Sequence, residues 1–561
     1  MTAREQLHAY IAQLEKHLRW GTVLRGFAIL TGGALVATFA RRSKVQGFRP
    51  QSEKARKLQR SACGMRSLAL ALALSAAAMA QSAPVSGNRY PRLAIRNAMI
   101  ADGNGTPASG PYDIIIENNR IVDVVALDPV AVNRGAKRLA APVEIDAKGK
   151  YVLPGLIDAH AHIQDERDGI PQPLEYEFKT WLACGITSVR DVGSKMEQTL
   201  TLRTRSASGE IAAPRIFVYP MFGGSGGGRF ADPKNADEAR AGVRQAKQMG
   251  ADGIKMRQVR RDVMDAIEDE AHKLNLPVAH HAGVDEVNAL DDIRDGTRSI
   301  EHWYGIPDAA LLDGVQNFPA NFNYNDESDR FRYAGRLWRE ADPKKLQEVL
   351  VEMARANVAW VPTFDIYDAS RDLERAQNQT AFRDYLHPAL ADYFRPNPRN
   401  HGSYFLHWTS NDEAFWKENY RIWMGAVRDF ERLGGLVGVG DDAGFIYQVY
   451  GFGLLRELEL HEEAGFPPIK VIQHATGNNA KILGMEGQLG GVRPGYLADL
   501  IVVNGNPLDD FKVLYPNNEG AGVEWTIKDG FVYNAPVLAA DVRDLVKKAR
   551  DSKGARNVSA K

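Results

Sequence analysis

The segment Tyr151-Val-Leu-Pro-Gly-Leu-Ile-Asp-Ala-His-Ala-His162 runs from an apolar strand directly into two histidines. Alternate side chains of an extended chain point to the same side, so His160 and His162 face one way. Two imidazoles on one side suit two ligands of a single metal ion. A His-Ala-His triplet by itself is equally compatible with a structural or surface role.

Downstream of this segment, short apolar runs alternate with helical stretches up to about residue 480. Such alternation is typical of parallel βα units, and a closed (β/α)8 barrel accommodates them. We therefore predict an α/β fold with a TIM-like barrel over residues 155–487. The predicted strands after the first are 186–189, 215–219, 253–256, 277–279, 299–300, 358–362 and 436–439.

Strand-like segments lie on both sides of the predicted barrel. Residues 92–154 contain alternating stretches with a turn between them, and residues 488–535 contain two more strand-like runs. We expect the two segments to pair into one small composite β-sandwich domain. Residues 536–561 are polar and charged, so we predict a frayed C-terminal tail there.

Polar residues also end four later strands of the predicted barrel: Lys255, His281, His302 and Asp442. The C-terminal ends of the strands of a parallel barrel face the active site. A lone histidine or lysine at such a position is usually structural or solvated. Together with the first two histidines these residues form a set of six that chance does not readily explain, which predicts a metal-dependent active site.

The composition limits the kinds of partner and metal site. The chain has 561 residues, with 70 Lys plus Arg against 70 Asp plus Glu, so its formal net charge is zero. A neutral chain has no surplus of cations to displace counterions, so we expect no nucleic-acid partner. The two cysteines, Cys63 and Cys184, cannot form a cysteine-rich metal site.

The first 80 residues differ from the rest. Residues 65–80 begin with Met65-Arg66, continue with an Ala/Leu-rich run and end with Ala78-Met79-Ala80, which is the anatomy of a signal peptide. We therefore predict export to the periplasm or the cell exterior, with Gln81 as the first residue of the mature chain. An Ala-rich helix without a targeting function would leave the cleavage site to chance.

Residues 1–64 have two interpretations. In the first, translation starts at Met65 and these residues are an upstream extension of the reading frame. In the second, residues 21–40 form a membrane segment, weakened by Arg25, that anchors the protein. Both interpretations place the bulk of the chain outside the cytoplasm.

Several motifs resemble those of the amidohydrolase superfamily, particularly the branch of imidazolonepropionase and the Xaa-Pro dipeptidases. The resemblance covers roughly residues 92–535 and implies the barrel and composite β domain predicted above. It rests on residues 152–162 and on Gly185-Ile-Thr-Ser-Val-Arg-Asp-Val-Gly, Gly250-Ala-Asp-Gly-Ile-Lys, Ser299-Ile-Glu-His, Gly440-Asp-Asp-Ala-Gly and the tail 487–507.

The resemblance implies a metal centre and gives each residue a role. Lys255, as a carbamate formed with CO2, would bridge two divalent metal ions, for which we expect zinc. Asp442 would contact a metal ion and move the proton of a metal-bridged hydroxide. The remaining ligands would be histidines: His160 and His162 on one ion, His281 and His302 on the other.

The chain departs from the family pattern at two positions. Asp441 stands where the family usually has Thr or Ser, which adds a carboxylate to the site. His280 precedes His281, so either could be the ligand. We prefer His281 because the family histidine is followed by alanine, and strand alternation then turns His280 away from the metal ions.

Residues 303–423 hold six of the nine tryptophans. Long loops on the catalytic face of a barrel commonly build a substrate pocket or a lid. The same aromatics would equally suit the interior of a helical subdomain or a subunit interface. The sequence leaves these alternatives open.

The function predicted from these observations is that of an amidohydrolase, a metal-dependent hydrolase of C–N bonds. Its substrate would be a small amide, a cyclic amide or a dipeptide. A deaminase or an ester or lactone hydrolase on the same metal centre is one alternative, and a non-catalytic scaffold of the same fold is another. We also expect a homo-oligomer, with membrane association only if residues 1–64 belong to the native protein.

Overall fold

The computed structural model describes residues 82–559, apart from 225–229, 283–286, 315–317, 324–325, 399–401 and 517–521. The predicted membrane segment 21–40 and signal peptide 65–80 lie outside the described residues, so export and anchoring stay predictions. Within the described residues, no helix has the length and apolar composition needed to cross a membrane.

The structure contains short parallel strands in the order predicted for a barrel. Strands β7, β10 and β11 form one parallel group, and β12 to β16 form a second. Their bounds are β7 Leu156–Ala161, β10 Ile186–Asp191, β11 Arg215–Val218, β12 Met221–Phe222, β13 Ile254–Arg257, β14 Val278–His281, β15 Ser299–Glu301 and β16 Ala359–Val361. Beyond β7 lies a hairpin of β8 Glu166–Arg167 and β9 Ile170–Pro171.

Backbone hydrogen bonds join the two groups into a closed ring. Lys255 N donates to Pro220 O over 3.0 Å, which connects β13 to the chain between β11 and β12. On the other side Trp360 N donates to Leu436 O over 2.9 Å, and Ala159 N donates to Val439 O over 3.0 Å. Residues 436–439 thus serve as the last strand, and the predicted (β/α)8 barrel is confirmed.

The segments before and after the barrel share one sheet, as expected. Its order is β1-β19-β18-β17-β6-β2-β3-β4, with β5 beside β2. Strand β17 pairs antiparallel with β6 and joins the two ends of the chain, and one buried apolar cluster lines the sheet. The bounds are β1 Asn88–Arg89, β2 Leu93–Ile100, β3 Ser109–Glu117, β4 Arg120–Ala126, β5 Val143–Asp146, β6 Tyr151–Pro154, β17 Leu500–Asn504, β18 Gly522–Lys528 and β19 Phe531–Asn534.

Helices surround the barrel and fill the long connection between β15 and the last strand. The helices up to β15 are α1 Pro129–Asn133, α2 Leu174–Ala183, α3 Met196–Ser208, α4 Ala236–Met249, α5 Arg261–Lys273 and α6 Ala289–Asp295. The later helices are α7 Ile306–Ala309, α8 Glu327–Ala334, α9 Leu337–Glu340, α10 Pro343–Arg355, α11 Asp368–Arg371, α12 Leu373–Gln377, α13 Phe382–Tyr385, α14 Pro388–Tyr393, α15 Ser410–Arg432, α16 Phe452–Glu463, α17 Pro468–Gln473, α18 Asn479–Ile482 and α19 Ala535–Ser559.

The tryptophans of residues 303–423 mostly pack inside this helical layer. Five of the six are fully buried, and only Trp408 is partly exposed. Trp303 lies 6.2 Å from Trp416 and 6.4 Å from Trp423 between ring centroids. The structure therefore favours the helical-subdomain interpretation for the tryptophans.

The C-terminal segment differs from the prediction. Residues 536–561 were expected to be a frayed polar tail, but α19 runs from Ala535 to Ser559. Leu538, Val542 and Val546 recur every four residues and are buried, so a narrow apolar stripe holds the helix on the protein. Lys179 of α2 also pairs with Asp541 at 2.8 Å. The prediction missed this stripe because most residues of the segment are polar or charged.

Two valines of α19 test this packing. Val542 is fully buried, whereas Val537 is 52% exposed. Val542→Ala should lower the free energy of unfolding by about 1.5–3 kcal/mol through lost burial and the cavity left behind. Val537→Ala should change it by less than about 0.5 kcal/mol. Equal denaturant midpoints for the two variants would show that the helix does not pack as described.

Candidate metal centre

The six predicted residues lie at the C-terminal ends of barrel strands, and we call them the candidate metal centre. His160 lies in β7 and His162 directly beyond it, while Lys255 lies in β13. The other three are His281 at the end of β14, His302 just after β15, and Asp442 after the last strand. All are buried except His281, which is partly exposed.

Asp442 contacts three of the histidines. Its Oδ1 lies 3.0 Å from His162 Nε2 and 4.0 Å from His160 Nε2. Its Oδ2 lies 3.8 Å from His302 Nε2. Possible ligand atoms of His160, His162 and Asp442 all lie within 4.8 Å of one another, a spacing that suits one metal ion.

The four imidazoles form a continuous row. The ring centroids of His162 and His160 are 5.6 Å apart, those of His160 and His302 are 4.6 Å apart, and those of His302 and His281 are also 4.6 Å apart. Asp442 thus lies beside the first three rings of the row, and His281 forms its far end.

Burial keeps His160, His281 and His302 neutral. It lowers the pKa of His160 to about 4, with a further decrease from the charge of Lys255. Burial also holds the pKa values of His281 and His302 well below the usual value, and each is lowered further by a neighbouring histidine. Neutral imidazole is the form that binds a metal ion, so the rings are ready for ligation at neutral pH.

The side-chain amine of Lys255 makes no hydrogen bond within the described part of the chain, and its Nζ is buried. Burial lowers the pKa of the ammonium to about 7, so much of the amine is unprotonated near neutral pH. An unprotonated amine is the form that reacts with CO2 to give a carbamate.

The carboxyl of Asp442 is held ionised despite its burial. Burial alone would raise its pKa, but the hydrogen bond with His162 and the nearby histidines lower it well below the usual range. A carboxylate that stays charged in a dry site is available both as a metal ligand and as a proton acceptor.

Two buried partners orient the histidines. Glu301 Oε2 accepts a hydrogen bond from His160 Nδ1 over 2.5 Å, and Thr363 Oγ1 accepts one from His302 Nδ1 over 2.6 Å. Thr363 Oγ1 itself donates to Pro362 O, which leaves it an acceptor for His302. Both histidines are thereby left with Nε2 free to face the centre, as metal-binding histidines require.

Glu301 is held in turn by Arg190. Arg190 Nη2 donates to Glu301 Oε1 over 2.6 Å, and Ser299 Oγ donates to the same oxygen over 2.5 Å. Neither charged residue was predicted from the sequence as part of the site. The signal was present, because both lie in buried strands, where a charge requires a partner.

The two ambiguous residues point away from the centre. His280 Nδ1 bonds to Asp292 Oδ1 of α6 over 2.6 Å, which puts its ring between strand and helix, as expected. Asp441 accepts hydrogen bonds from Ala443 N over 2.9 Å and Leu454 N over 3.1 Å. Burial and the nearby Asp158 hold the pKa of Asp441 well above its usual value, so this carboxyl is neutral.

The residues present fit a metal ion. The donors are imidazole nitrogens and a carboxylate, which are ordinary zinc ligands. Lys255 Nζ and His281 Nε2 are buried without partners in the part of the chain that the structure describes, and bound ions would satisfy such orphaned groups.

The fold and this site agree with the family comparison. The sequence profile described as "Amidohydrolase family" matches residues 151–316 and 443–532. The matched residues contain all members of the candidate metal centre except Asp442, which immediately precedes the second block. Over these two blocks the chain is similar to the amidohydrolase family.

Individual relatives match over short stretches. An adenine deaminase of Nitratidesulfovibrio vulgaris (strain DP4) is 36% identical over 87 residues, which is 14% of this chain and 14% of that protein. An imidazolonepropionase of Geobacillus kaustophilus (strain HTA426) is 56% identical over 48 residues, 9% of this chain and 11% of that protein. The chain thus matches only a small part of the length of these relatives.

The similarity to a solved structure is broader. A Xaa-Pro dipeptidase with methionine bound in its active site matches with a TM-score of 0.55 and 24% identity. The match covers 79% of this chain and 100% of that one. At this identity the likeness establishes a shared fold.

Glu301 provides a test of the centre that leaves every proposed ligand in place. Glu301→Gln removes the charge that holds His160, so metal affinity should fall by about 10–100-fold. Competition with a chelator measures this. The control is Glu268→Gln, another buried glutamate, which bonds Thr297 and lies outside the centre. Equal metal affinity in the two variants would contradict the orienting role.

Proposed function

We propose that the protein is a metal-dependent hydrolase of C–N bonds in small amides, cyclic amides or dipeptides. The observation that carries the proposal is the contact of one ionised carboxylate, Asp442, with three buried histidines at the C-terminal end of a barrel. Hydrolysis of an unreactive amide requires a general base next to a set of metal ligands, and this site contains both.

The donor atoms divide into two groups along the row of imidazoles. His160 and His162 would hold one ion beside Asp442, and His281 and His302 would hold the second. Lys255, as a carbamate, would connect the two groups. When bound, divalent ions lower the pKa of a water molecule and polarise the carbonyl of the substrate.

Asp442 is the residue placed to move the proton. Its carboxylate accepts a proton from the attacking water and then donates it to the leaving nitrogen, so one residue acts first as base and then as acid. The amine product leaves as a neutral group, and Asp442 returns to its ionised form.

Aromatic side chains close the His281 end of the site. Tyr304 stacks on His281 with 4.5 Å between ring centroids, and Tyr367 donates a hydrogen bond to the Tyr304 hydroxyl over 3.2 Å. Both tyrosines are buried and come from the 303–423 region. These tyrosines would give the 303–423 region a part in the substrate pocket.

Deamination on the same centre is the second candidate, favoured by the short but significant match to an adenine deaminase. The attack of water on a carbon bonded to nitrogen would require the same proton transfers by Asp442. A non-catalytic scaffold is disfavoured, because all six residues of the candidate metal centre are present and brought together.

Asp442→Asn tests the proton transfer. Asparagine keeps the size of the side chain and one oxygen but cannot accept the proton, so kcat should fall by at least about 10²–10⁴ with metal content largely kept. The assay uses a panel of dipeptides, N-acyl amino acids and cyclic amides.

The matched control is Asp441→Asn. Asp441 is neutral and already receives two backbone hydrogen bonds, so an amide should cost far less there. The reverse order of effects would make Asp441 the acid–base residue. Absence of turnover by the wild-type protein on the whole panel would contradict the proposed function.

Lys255→Ala tests the bridge between the two groups of ligands. The variant should lose about one of two metal ions per chain and most activity, and short carboxylic acids such as acetate should restore part of both. Lys528→Ala removes another buried lysine, which bonds Ser206 outside the centre, and should keep its metal. Full metal content and normal turnover in Lys255→Ala would show that the lysine is not a ligand.

A further inference from the structure

Arg257 is a positively charged residue beside the candidate metal centre that has no role in the mechanism proposed above. It ends β13, two residues after Lys255, and the intervening Met256 is buried in the core. Because side chains alternate along a strand, Arg257 projects to the same side of the barrel wall as Lys255. It is partly exposed, unlike Lys255.

No residue in the described part of the chain pairs with the Arg257 guanidinium. Its Nε is buried without a hydrogen bond, and no ion pair joins Arg257 to any residue that the structure describes. Arg190, another arginine near the centre, is in contrast paired with Glu301. Leaving a partly buried guanidinium unpaired costs free energy, which a bound anion would recover.

Two glycines, Gly223 and Gly224, lie close to Arg257. A Cβ built at Gly224 would lie 3.4 Å from Arg257 Cδ, which is ordinary van der Waals range, so the chain passes near the aliphatic stem there. Gly223 has a φ of +75°, and a Cβ on it would overlap the carbonyl oxygen of Arg257. A side chain at position 223 would therefore collide with the Arg257 backbone, and the aliphatic stem of Arg257 runs close to Gly224.

Arg257 lies at the end of the imidazole row that is farther from Asp442. Its Cα is the parallel-register partner of His281. After burial and His302, the charge of Arg257 is the next influence that lowers the pKa of His281, and Arg330 of α8 adds to it. The site is thus polarised, with the proton-accepting carboxylate at one end and positive charge at the other.

We propose that Arg257 binds a free carboxylate of the substrate and makes the enzyme selective for amides that carry one, such as N-acyl amino acids and dipeptides. The inference rests on the proposed hydrolase function and narrows its substrate class. A guanidinium offers two parallel N–H donors that match a carboxylate, so the contact fixes orientation as well as charge. Neutral cyclic amides leave Arg257 unpaired and are poor substrates.

Matched substrate pairs test the proposal. Each pair consists of an N-acyl amino acid and its C-terminal amide, and release of the acyl group is followed for both. The wild-type enzyme should have a higher kcat/KM for the acid. Arg257→Met keeps the length and apolar stem, and it should lower kcat/KM for the acid by about 10–100-fold, mainly through KM. Activity on the amide should change little, so the preference disappears.

Two further variants make the result specific. Arg257→Lys keeps the charge but loses the paired donors. Its kcat/KM for the acid should therefore lie between the values of wild type and Arg257→Met, and its kcat/KM for the amide should equal theirs. Arg260→Met removes an exposed arginine three residues away that pairs with Asp262, and it should leave the preference unchanged. If Arg257→Met does not fold, the lysine variant alone carries the test.

The possible outcomes separate this inference from the proposed function. Equal wild-type activity on acid and amide, or an equal loss on both in Arg257→Met, would overturn the role of Arg257 and leave a hydrolase of another specificity. Absence of hydrolysis of either member of every pair, together with an inactive wider panel, would overturn the hydrolase function itself.

Discussion

Arg190 and Glu301 place a full positive and a full negative charge inside the barrel, where their side chains are 1% and 0% exposed. Removing one partner of such a pair lowers the stability of the fold by about 3–5 kcal/mol, because the other charge is left buried without a partner. The second oxygen of Glu301 holds His160, and His160 adjoins His302 and Asp442. The positions of the site residues therefore depend on this ion pair.

The backbone at the site is strained as well as charged. His302, Thr363 and Asp442 adopt positive φ values of 61°, 50° and 49°, which are unfavourable for residues with a Cβ. Each costs on the order of 1–3 kcal/mol and persists because the surroundings impose it. Asp442 N bonds to His160 O over 2.7 Å, and His302 N bonds to Val361 O over 2.8 Å. Closure of the barrel thus holds the side chains that are placed for chemistry.

Local patterns were enough to predict the barrel and the six residues at its strand ends, because strand alternation and the rule about strand ends depend on neighbours in the chain. The Arg190–Glu301 pair joins residues 111 positions apart, and no local pattern specifies such a contact. The C-terminal helix was missed for another reason: Leu538, Val542 and Val546 are few among many charged residues. The role of Asp442 came from the family resemblance, and burial explains why the neighbouring Asp441 carboxyl is neutral.

A crystal structure of the metal-loaded protein, measured at the absorption edge of zinc, tests the central claim most directly. We expect two anomalous peaks per chain, one beside His160, His162 and Asp442 and one beside His281 and His302. Density for a carboxylated Lys255 should connect them, with metal–nitrogen distances of about 2.0–2.1 Å. A single peak, or two peaks with an unmodified Lys255 contacting neither, would contradict the binuclear centre.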